Sequence, residues 1–466
     1  MRTRLDFRWV VCGLLFFATT VNYLDRQVLS LTWKDFIAPE FGWTDDHYGV
    51  VTGYFGLIYA VCMLFAGKIV DWLGTKKGYL WAIGVWSVAA CLHAVCGVAT
   101  AHYTGLDGTA ALATLEKGSA LAVSVGTVSM YLFLGCRCLL ALGEAGNFPA
   151  AIRATAEYFE PKDRAFATSV FNAGSSIGAL VAPLLIPPIA KAWGWEMAFI
   201  GIGALGFIWM GFWQFLYPSA TRAVGPSVNE PVATRPSTRL SYRRCFALRP
   251  TWSLLLGRFL TDGVWWFFLF WTPAYLSDRF GYESSSGTGM AMISTLYAIA
   301  TLVSIVLCKL PTWFVDRKGM KPYDGRMLAM FFFACLPLVA LGAQPLGAFS
   351  AWWPVVLIGL ACAGHMAWSA NIFSVVGDLF PRELIGMLTG VAGLACGLSS
   401  FLFNRGAGWL FTYAGKAGTS FSFLGFTGKD AGYMIVFCIC AVAYLAGWIC
   451  MKVLVPRAPE RMEVTE

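Results

Sequence analysis

The chain has 466 residues, of which 58% are of hydrophobic type and only 13% are charged. Soluble globular domains carry about a quarter charged residues, so this composition excludes an ordinary soluble enzyme and indicates a chain that spans a lipid bilayer. The formal net charge of +8 is typical of basic cytoplasmic loops rather than of a nucleic-acid-binding surface. The 14 cysteines include no Cys-x-x-Cys pair, and we interpret them as small apolar residues rather than metal ligands or disulfides.

A membrane-spanning helix needs roughly 20 mainly apolar residues. Twelve segments meet this requirement: 9–33, 48–71, 78–99, 121–151, 165–190, 194–217, 250–276, 287–314, 327–345, 351–379, 385–412 and 430–454. The predicted fold class is therefore an all-α membrane protein with twelve transmembrane helices. The first segment is too long for a signal peptide and lacks a small-residue cleavage site, so we interpret it as an uncleaved helix.

The sequence divides near its middle. Residues 218–249 are rich in Pro, Ser, Thr and Arg without apolar periodicity, which is typical of a linker. We therefore predict an N-terminal six-helix bundle at 1–217, a cytoplasmic linker at 218–249 and a C-terminal six-helix bundle at 250–466. Most Lys and Arg residues fall on one side of this arrangement if both termini are cytoplasmic, which is the orientation that basic loops favour.

Two loop motifs repeat between the halves. Residues 71–76 and 316–321 both read Asp-x-x-Gly-x-Lys, after the second and eighth segments, and residues 159–163 resemble 380–383 after the fourth and tenth. Matches at corresponding positions predict a duplication with pseudo-two-fold symmetry, the architecture of alternating-access transporters. The charged residues of the first motif are expected to form a cytoplasmic gate that does not touch substrate: Asp71, Lys76, Asp316 and Lys321.

Four charges lie within the first and fourth segments, namely Asp25, Arg26, Arg137 and Glu144. A charge at the bilayer centre costs about 2.5–3.5 kcal/mol, and apolar residues would fill the same space without that cost. A polar cavity for an anion and protons is therefore favoured over mutual neutralisation for packing. The four charges sum to zero, so an anionic substrate would bring one negative charge and one proton would cancel it. We expect Asp25 to orient the adjacent Arg26, and Glu144 to hold its proton more readily.

The second half is more ambiguous. Arg258 and Asp262 lie four residues apart and are expected to pair within one helix. Trp265 either stacks on a sugar ring or packs in the core. The tenth segment contains a set that suits a hydroxylated ligand or a structural hydrogen-bonding histidine: His365, Trp368, Ser369 and Asn371.

The sequence contains none of the common motifs for nucleotide binding, zinc-dependent proteolysis or serine hydrolysis. There is no phosphate-binding Gly-Lys-Ser/Thr loop, no His-Glu-x-x-His and no nucleophile elbow. We therefore predict no enzyme activity, no cofactor, no metal and no ATP-driven transport by this chain alone.

The charged and aromatic segments resemble the major facilitator superfamily, and within it the anion:cation symporter family, over nearly the whole chain. Tyr-Leu-Asp-Arg at 23–26, the motif at 71–76, and 137–149 are similar to the family's first, second and fourth helices. Residues 265–271 and 365–381 are similar to the seventh and tenth helices of bacterial hexuronate transporters. The long stretch 99–118 and Asn404-Arg405 depart from the family pattern.

The resemblance implies a monomeric carrier in the bacterial inner membrane that takes up a hexuronate, such as galacturonate or glucuronate, together with protons. It implies proton coupling by Asp25 and Glu144. The expected substrate-binding residues are Tyr23, Arg26, Tyr59, Arg137, Asn172, Trp265, His365, Trp368 and Asn371. The alternatives are a carrier for another organic anion (an aldonate, glucarate or a small carboxylate), a transporter-like sensor and a multidrug exporter. The expected partners are the anionic solute, protons and membrane lipid, with no nucleic acid.

Overall fold

The computed structural model of the chain describes residues 2–116, 118–160, 163–217, 246–380 and 382–457. Most of the predicted linker 218–249 and the last nine residues of the predicted C-terminal domain lie outside the described residues. The described residues are helical apart from turns and one antiparallel ribbon of two strands, β1 (Ser422–Phe423) and β2 (Phe426–Thr427).

The helices that precede residue 218 follow the predicted apolar segments. They are α1 (Arg2–Thr32), α2 (Asp45–Leu73), α3 (Thr75–His93), α4 (Cys96–Tyr103), α5 (Ala120–Glu144), α6 (Asn147–Tyr158), α7 (Arg164–Trp193) and α8 (Trp195–Leu216). Helix α1 continues through a π-helical turn at Trp33–Ile37 into a short helix at Ala38–Phe41. A 3₁₀ turn at Thr109–Thr114 lies within the long stretch 99–118.

The helices that follow residue 245 complete the fold. They are α9 (Arg249–Phe280), α10 (Gly287–Leu307), α11 (Leu310–Lys318), α12 (Pro322–Cys335), α13 (Trp352–Leu379), α14 (Arg382–Ala417) and α15 (Gly428–Leu454). The remaining helical pieces are short turns at Leu336–Gly342, Ala343–Gly347 and Gly418–Ser420.

Each of the twelve predicted segments overlaps one helix or one helix pair, except 327–345, which overlaps α12 and two short helical turns. Among the described residues, ten helical stretches are long and apolar enough to cross a membrane, and there are eleven if α3 and α4 count as one bent span. This bent pair occupies the predicted segment 78–99 and turns by 53°. Helix α14 occupies the predicted segment 385–412. The predicted all-α class is therefore confirmed, with the third span broken.

The described residues form two compact units. Unit 1 comprises the described residues up to 217 together with Leu276–Ser294. Unit 2 comprises residues 246–275 and the described residues from Thr295 onward. The end of α9 and the start of α10 thus group with unit 1, whereas the sequence predicts them as part of the C-terminal bundle.

Helix α1 is held close to α7 by glycine. A Cβ atom on Gly178 would lie 2.6 Å from the main-chain oxygen of Thr20 and 2.8 Å from Cβ of Tyr23. Contacts this short do not occur, so the approach of the two helices requires a residue without a side chain at 178. This packing fixes the position of the α1 segment that bears Tyr23 and its neighbours.

Candidate functional site

The first polar cluster lies in unit 1 and is built on α1, α2 and α5. Arg26 donates a hydrogen bond from Nε to Oε2 of Glu144 over 2.6 Å, and both side chains are buried. The guanidinium carbon of Arg26 lies 4.5 Å from the ring centroid of Tyr59 and 5.2 Å from that of Tyr23. Because aromatic faces attract a guanidinium ion, these four predicted residues form one contiguous group.

Asp25 is not the ion-pair partner of Arg26, and the expectation from their adjacency is wrong. Consecutive residues of an α-helix do not face each other, so Arg26 reaches Glu144 while Asp25 points elsewhere. Asp25 is 2% exposed. Neither of its carboxylate oxygens has a hydrogen-bond partner within the described part of the chain. Asp25 is therefore a buried acid that stands outside the ion pair.

Arg137 is the second buried arginine of unit 1 and lies on α5. Its guanidinium carbon is 5.4 Å from the ring centroid of Phe55 on α2. Its Nε and Nη1 atoms have no hydrogen-bond partner among the residues that the structure describes. Unit 1 thus contains the ion pair of Arg26 and Glu144 together with Asp25 and Arg137, which keep buried polar atoms without a hydrogen-bond partner among the described residues.

Two amides on α1 also belong to this region, and the sequence reasoning missed them. Asn22 and Gln27 are 0% exposed, and the side-chain nitrogen and oxygen of each lack partners among the described residues. Leaving a buried polar group without a hydrogen bond costs about 1–3 kcal/mol. Helical spacing offered a signal, because Asn22 precedes Arg26 by four residues and Gln27 follows Tyr23 by four.

Asn172 does not join the buried cluster. Its side chain is exposed on α7, and its main-chain oxygen accepts a hydrogen bond of 2.7 Å from Oγ of Ser175. The structure therefore places this predicted binding residue on the exposed surface of α7.

The second cluster lies in unit 2 and centres on His365 of α13. Trp265 stacks on the His365 ring with centroids 5.0 Å apart and an interplanar angle of 8°. Nδ1 of His365 lies 2.6 Å from the hydroxyl of Tyr444, which also lies 3.1 Å from the main-chain oxygen of Thr261. The structure brings the predicted Trp265 and His365 together and adds Tyr444 and Thr261, which no sequence motif had marked.

The other predicted residues of α13 lie beside this cluster. Trp368 packs edge-on against the ring of Tyr444 at 5.7 Å and is 0% exposed. Asn371 donates from Nδ2 to the main-chain oxygen of Ala367 over 2.8 Å. Trp368 therefore supports Tyr444 from inside the unit, while part of the Asn371 amide is occupied by its own helix.

Arg258 and Asp262 form the second buried ion pair. Nη2 of Arg258 lies 2.6 Å from Oδ2 of Asp262, one turn later on α9. The predicted pairing within the helix is therefore confirmed.

Asn404 is fully buried and accepts a hydrogen bond of 3.0 Å from Nε1 of Trp271, so it supports packing, while Arg405 beside it is half-buried.

The Asp-x-x-Gly-x-Lys loop of unit 1 is tied to α6. Arg153 donates to Oδ1 of Asp71 over 2.7 Å and to Oε1 of Glu157 over 3.3 Å. The Tyr217 hydroxyl donates to Oε2 of Glu157 over 2.6 Å, and burial raises the pKa of Tyr217, which keeps it a donor. Nζ of Lys76 donates to the main-chain oxygen of Tyr217 over 2.8 Å.

The matching loop of unit 2 has a different environment. Asp316 and Lys321 are exposed. Gly319 adopts φ = +63° and Gly74 in the first loop adopts φ = +77°, which is a region that favours glycine. The glycine of the repeated motif thus has a positive φ in both units, but ψ is 158° at Gly74 and 24° at Gly319, so the two turns differ. Among the described residues, the motif aspartate forms an ion pair in the first loop only.

Comparison with known proteins agrees with this architecture. The model of the Major Facilitator Superfamily matches residues 15–404. The hexuronate transporter of Escherichia coli (strain K12) is 28% identical and covers 86% of this chain and 87% of its own length. The galacturonate transporter of Dickeya chrysanthemi is 26% identical, over 62% of this chain and 78% of its own. The D-galactonate transporter of Escherichia coli O6:H1 is also 26% identical, over 86% and 89%.

Solved structures share the fold at low sequence identity. A bacterial homolog of the human lysosomal transporter Spinster has a TM-score of 0.72 at 17% identity, and covers 96% of this chain and 98% of its own. A D-xylose–proton symporter has a TM-score of 0.64 at 15% identity, with coverages of 96% and 97%. The chain therefore belongs to the Major Facilitator Superfamily, and it is a multi-pass membrane transporter rather than an enzyme.

Proposed function

We propose that the protein is a proton-coupled symporter that imports a sugar acid by alternating access, with a hexuronate such as galacturonate or glucuronate as the first candidate. The names of its relatives support an organic anion as substrate. The observation that carries the proposal is the buried group of two arginines and two acids in unit 1. Such a group is costly in a bilayer and therefore points to function.

Arg26 is the proposed binding residue for the substrate carboxylate. Its guanidinium lies against Tyr23 and Tyr59, and both tyrosines are only half-buried. A planar guanidinium matches a carboxylate with paired donors. Arg137 lies buried beside Phe55 and supplies the second positive charge. Asn172 remains a proposed substrate contact, and its exposed side chain on α7 is the observation that supports it.

Proton coupling is assigned to Asp25 and Glu144, with roles that the ion pair suggests. An ionised carboxylate buried without a partner is costly, and a bound proton removes that cost. Asp25 fits this description, so we propose that it exchanges the coupled proton. Glu144 holds Arg26 in place. We therefore propose that protonation of Glu144 changes the affinity of Arg26 for the substrate carboxylate.

Unit 2 supplies side chains suited to hydroxyl groups. We propose that Trp265, His365, Trp368 and Asn371 contribute to substrate binding through this unit, with Trp265 and His365 in direct contact with sugar and Trp368 behind them. Tryptophan offers an aromatic face on which a sugar ring can stack, and histidine offers a hydrogen-bonding edge for the sugar hydroxyl groups.

The remaining parts of the proposal concern orientation and gating. We propose that the protein lies in the inner membrane as a monomer, with the termini and the 218–249 linker in the cytoplasm. The proposed gate residues of the two repeated loops are Asp71, Lys76, Asp316 and Lys321. The Asp71–Arg153 pair supports a latch of this kind in unit 1.

Uptake into proteoliposomes tests the function. With the outside more acidic than the inside, labelled galacturonate should accumulate above its external concentration, and a protonophore should abolish the accumulation but not exchange. Accumulation without a proton gradient would overturn the coupling. Binding without any uptake would instead favour the transporter-like sensor.

A second candidate is a carrier for another sugar acid or small organic anion. It is favoured by two relatives, one named a D-galactonate transporter and the other a "probable galactarate/D-glucarate transporter". A competition panel of hexuronates, aldonates and aldarates against labelled galacturonate separates these substrates. The strongest competitor identifies the class, and an aldarate that outcompetes both hexuronates would replace the first candidate.

A further inference from the structure

Tyr444 contacts two groups that together define where its proton lies. Its hydroxyl oxygen is 2.6 Å from Nδ1 of His365 and 3.1 Å from the main-chain oxygen of Thr261. A carbonyl oxygen can only accept a hydrogen bond, and with the Tyr444 proton directed to Thr261 the hydroxyl oxygen is left to accept from Nδ1–H of His365. The opposite assignment would leave two oxygen atoms 3.1 Å apart with no proton between them.

We infer that Tyr444 is a positioning residue that fixes the tautomer of His365 for substrate recognition, an inference that rests on the proposed sugar-acid function. A neutral imidazole that donates through Nδ1 presents a lone pair on Nε2. Nε2 therefore accepts a hydrogen bond from a substrate hydroxyl and offers no donor to a carbonyl or ether oxygen. The carrier thus requires a hydroxyl group at this point of the substrate.

The ring of His365 is also held in orientation. Trp265 stacks on it at 5.0 Å, and the Tyr444 ring meets it nearly at right angles with centroids 6.0 Å apart. Tyr444 is itself 0% exposed and is packed by the edge contact with Trp368. A flip of the imidazole about Cβ–Cγ would place Cδ2 where Nδ1 lies and Cε1 where Nε2 lies, and would break the bond to Tyr444. The packing and the hydrogen bond therefore favour one orientation of the ring.

The variant Tyr444→Phe tests the inference because it keeps the ring and removes the acceptor. With the tautomer no longer fixed, the KM for galacturonate should rise about tenfold, the effect of one lost hydrogen bond, with little change in kcat. In a set of galacturonates that each lack one hydroxyl group, the parent should transport one compound poorly, namely the one without the hydroxyl that donates to His365. The variant should discriminate less against that same compound. Equal losses for every compound would overturn the inference.

A matched control separates positioning from stability. Tyr275 also lies in unit 2 and donates its hydroxyl to Oε1 of Gln344 over 2.8 Å. Tyr275→Phe loses a buried hydrogen bond of the same kind and should leave the selectivity among deoxy compounds unchanged. If Tyr275→Phe and Tyr444→Phe alter selectivity alike, the effect is structural and the inference fails.

A double-mutant cycle tests whether Tyr444 acts through His365. In a His365→Ala background, Tyr444→Phe should have no further effect on KM, because its action runs through the missing imidazole. Additive effects would contradict the inference. If His365→Ala leaves uptake and selectivity unchanged, His365 does not bind substrate, and the inference falls while proton-coupled uptake stands.

The tautomer can also be read without any substrate. Solid-state NMR of ¹⁵N-histidine-labelled protein in lipid, with His365→Gln used to assign the signal, should show a protonated Nδ1 and an unprotonated Nε2 in the parent. Tyr444→Phe should shift this signal toward a mixture. A parent signal with protonated Nε2 overturns the inference even if the protein transports a different anion.

Discussion

Arg26 and Glu144 form a buried ion pair between α1 and α5 although 118 residues separate them. Removing one partner of such a pair costs about 3–5 kcal/mol, because the other charge stays buried without compensation. The position of Arg26 therefore depends on the charge of Glu144. Under the proposed function, this dependence is the physical route by which protonation of Glu144 would change the binding of an anion at Arg26.

Lysine in place of either buried arginine tests the anion site. Arg26→Lys and Arg137→Lys keep the positive charge but lose the planar donor fork, so we expect the Kd for galacturonate to weaken by about tenfold in each. Calorimetric titration of the purified variants measures this. If both variants bind as tightly as the parent, the carboxylate is bound elsewhere.

Asp25→Asn and Glu144→Gln should separate coupling from binding. Asp25 has no hydrogen-bond partner among the described residues, so Asn at 25 should spare exchange across the membrane and abolish accumulation on a pH gradient. Gln at 144 leaves Arg26 without its counter-charge, so it should also weaken substrate binding. Counterflow and gradient-driven uptake in the same vesicles distinguish the two. An Asp25→Asn carrier that still concentrates substrate would remove Asp25 from the coupling mechanism.

The close packing of α1 on α7 predicts a stability effect at Gly178. A methyl group there would meet the main-chain oxygen of Thr20 at 2.6 Å, so Gly178→Ala should destabilise the protein by about 1–3 kcal/mol and lower its melting temperature in detergent. A Cβ atom on Gly201 of α8 would instead point into open space, with no neighbouring side chain or helix within 4 Å. Gly201→Ala should therefore be neutral or slightly stabilising, and equal losses at both sites would refute the packing argument.

The proposed orientation has a direct test in the linker, which lies outside the described residues. A cysteine introduced at Ser237 should react with a membrane-impermeant maleimide only after the cells are opened. An endogenous cysteine background is controlled by labelling the parent in parallel. Labelling of the variant in intact cells would reverse the proposed topology.

The apolar segments and the repeated loop motifs allowed the fold to be predicted from sequence, because a bilayer imposes a minimum helix length that hydropathy reveals directly. The same reasoning found the charged residues of α1 and α5, since charges within apolar segments stand out. It did not find that Arg26 pairs with Glu144, because adjacency in sequence suggested Asp25 and only the packing of two helices decides the partner.

The supporting residues were harder to predict. Tyr444, Thr261 and Arg153 are ordinary in their local sequence, and each gains its role from a contact on another helix. Asn22 and Gln27 had a helical-spacing signal, but an amide in a membrane helix is less conspicuous than a charge. Asn172 was predicted from a weaker match and proved exposed.

The π-helical turn at Trp33–Ile37 has a consequence for the register of the first span. A π turn accommodates one residue more than an α turn, and each residue of an α-helix adds about 100° of rotation. Deleting one residue within the turn would restore a regular helix and rotate Phe41 away from Trp195, whose ring centroid lies 6.0 Å from its own. The extra residue therefore lets one continuous helical segment direct Arg26 toward α5 and its C-terminal end, at Phe41, toward an aromatic cluster.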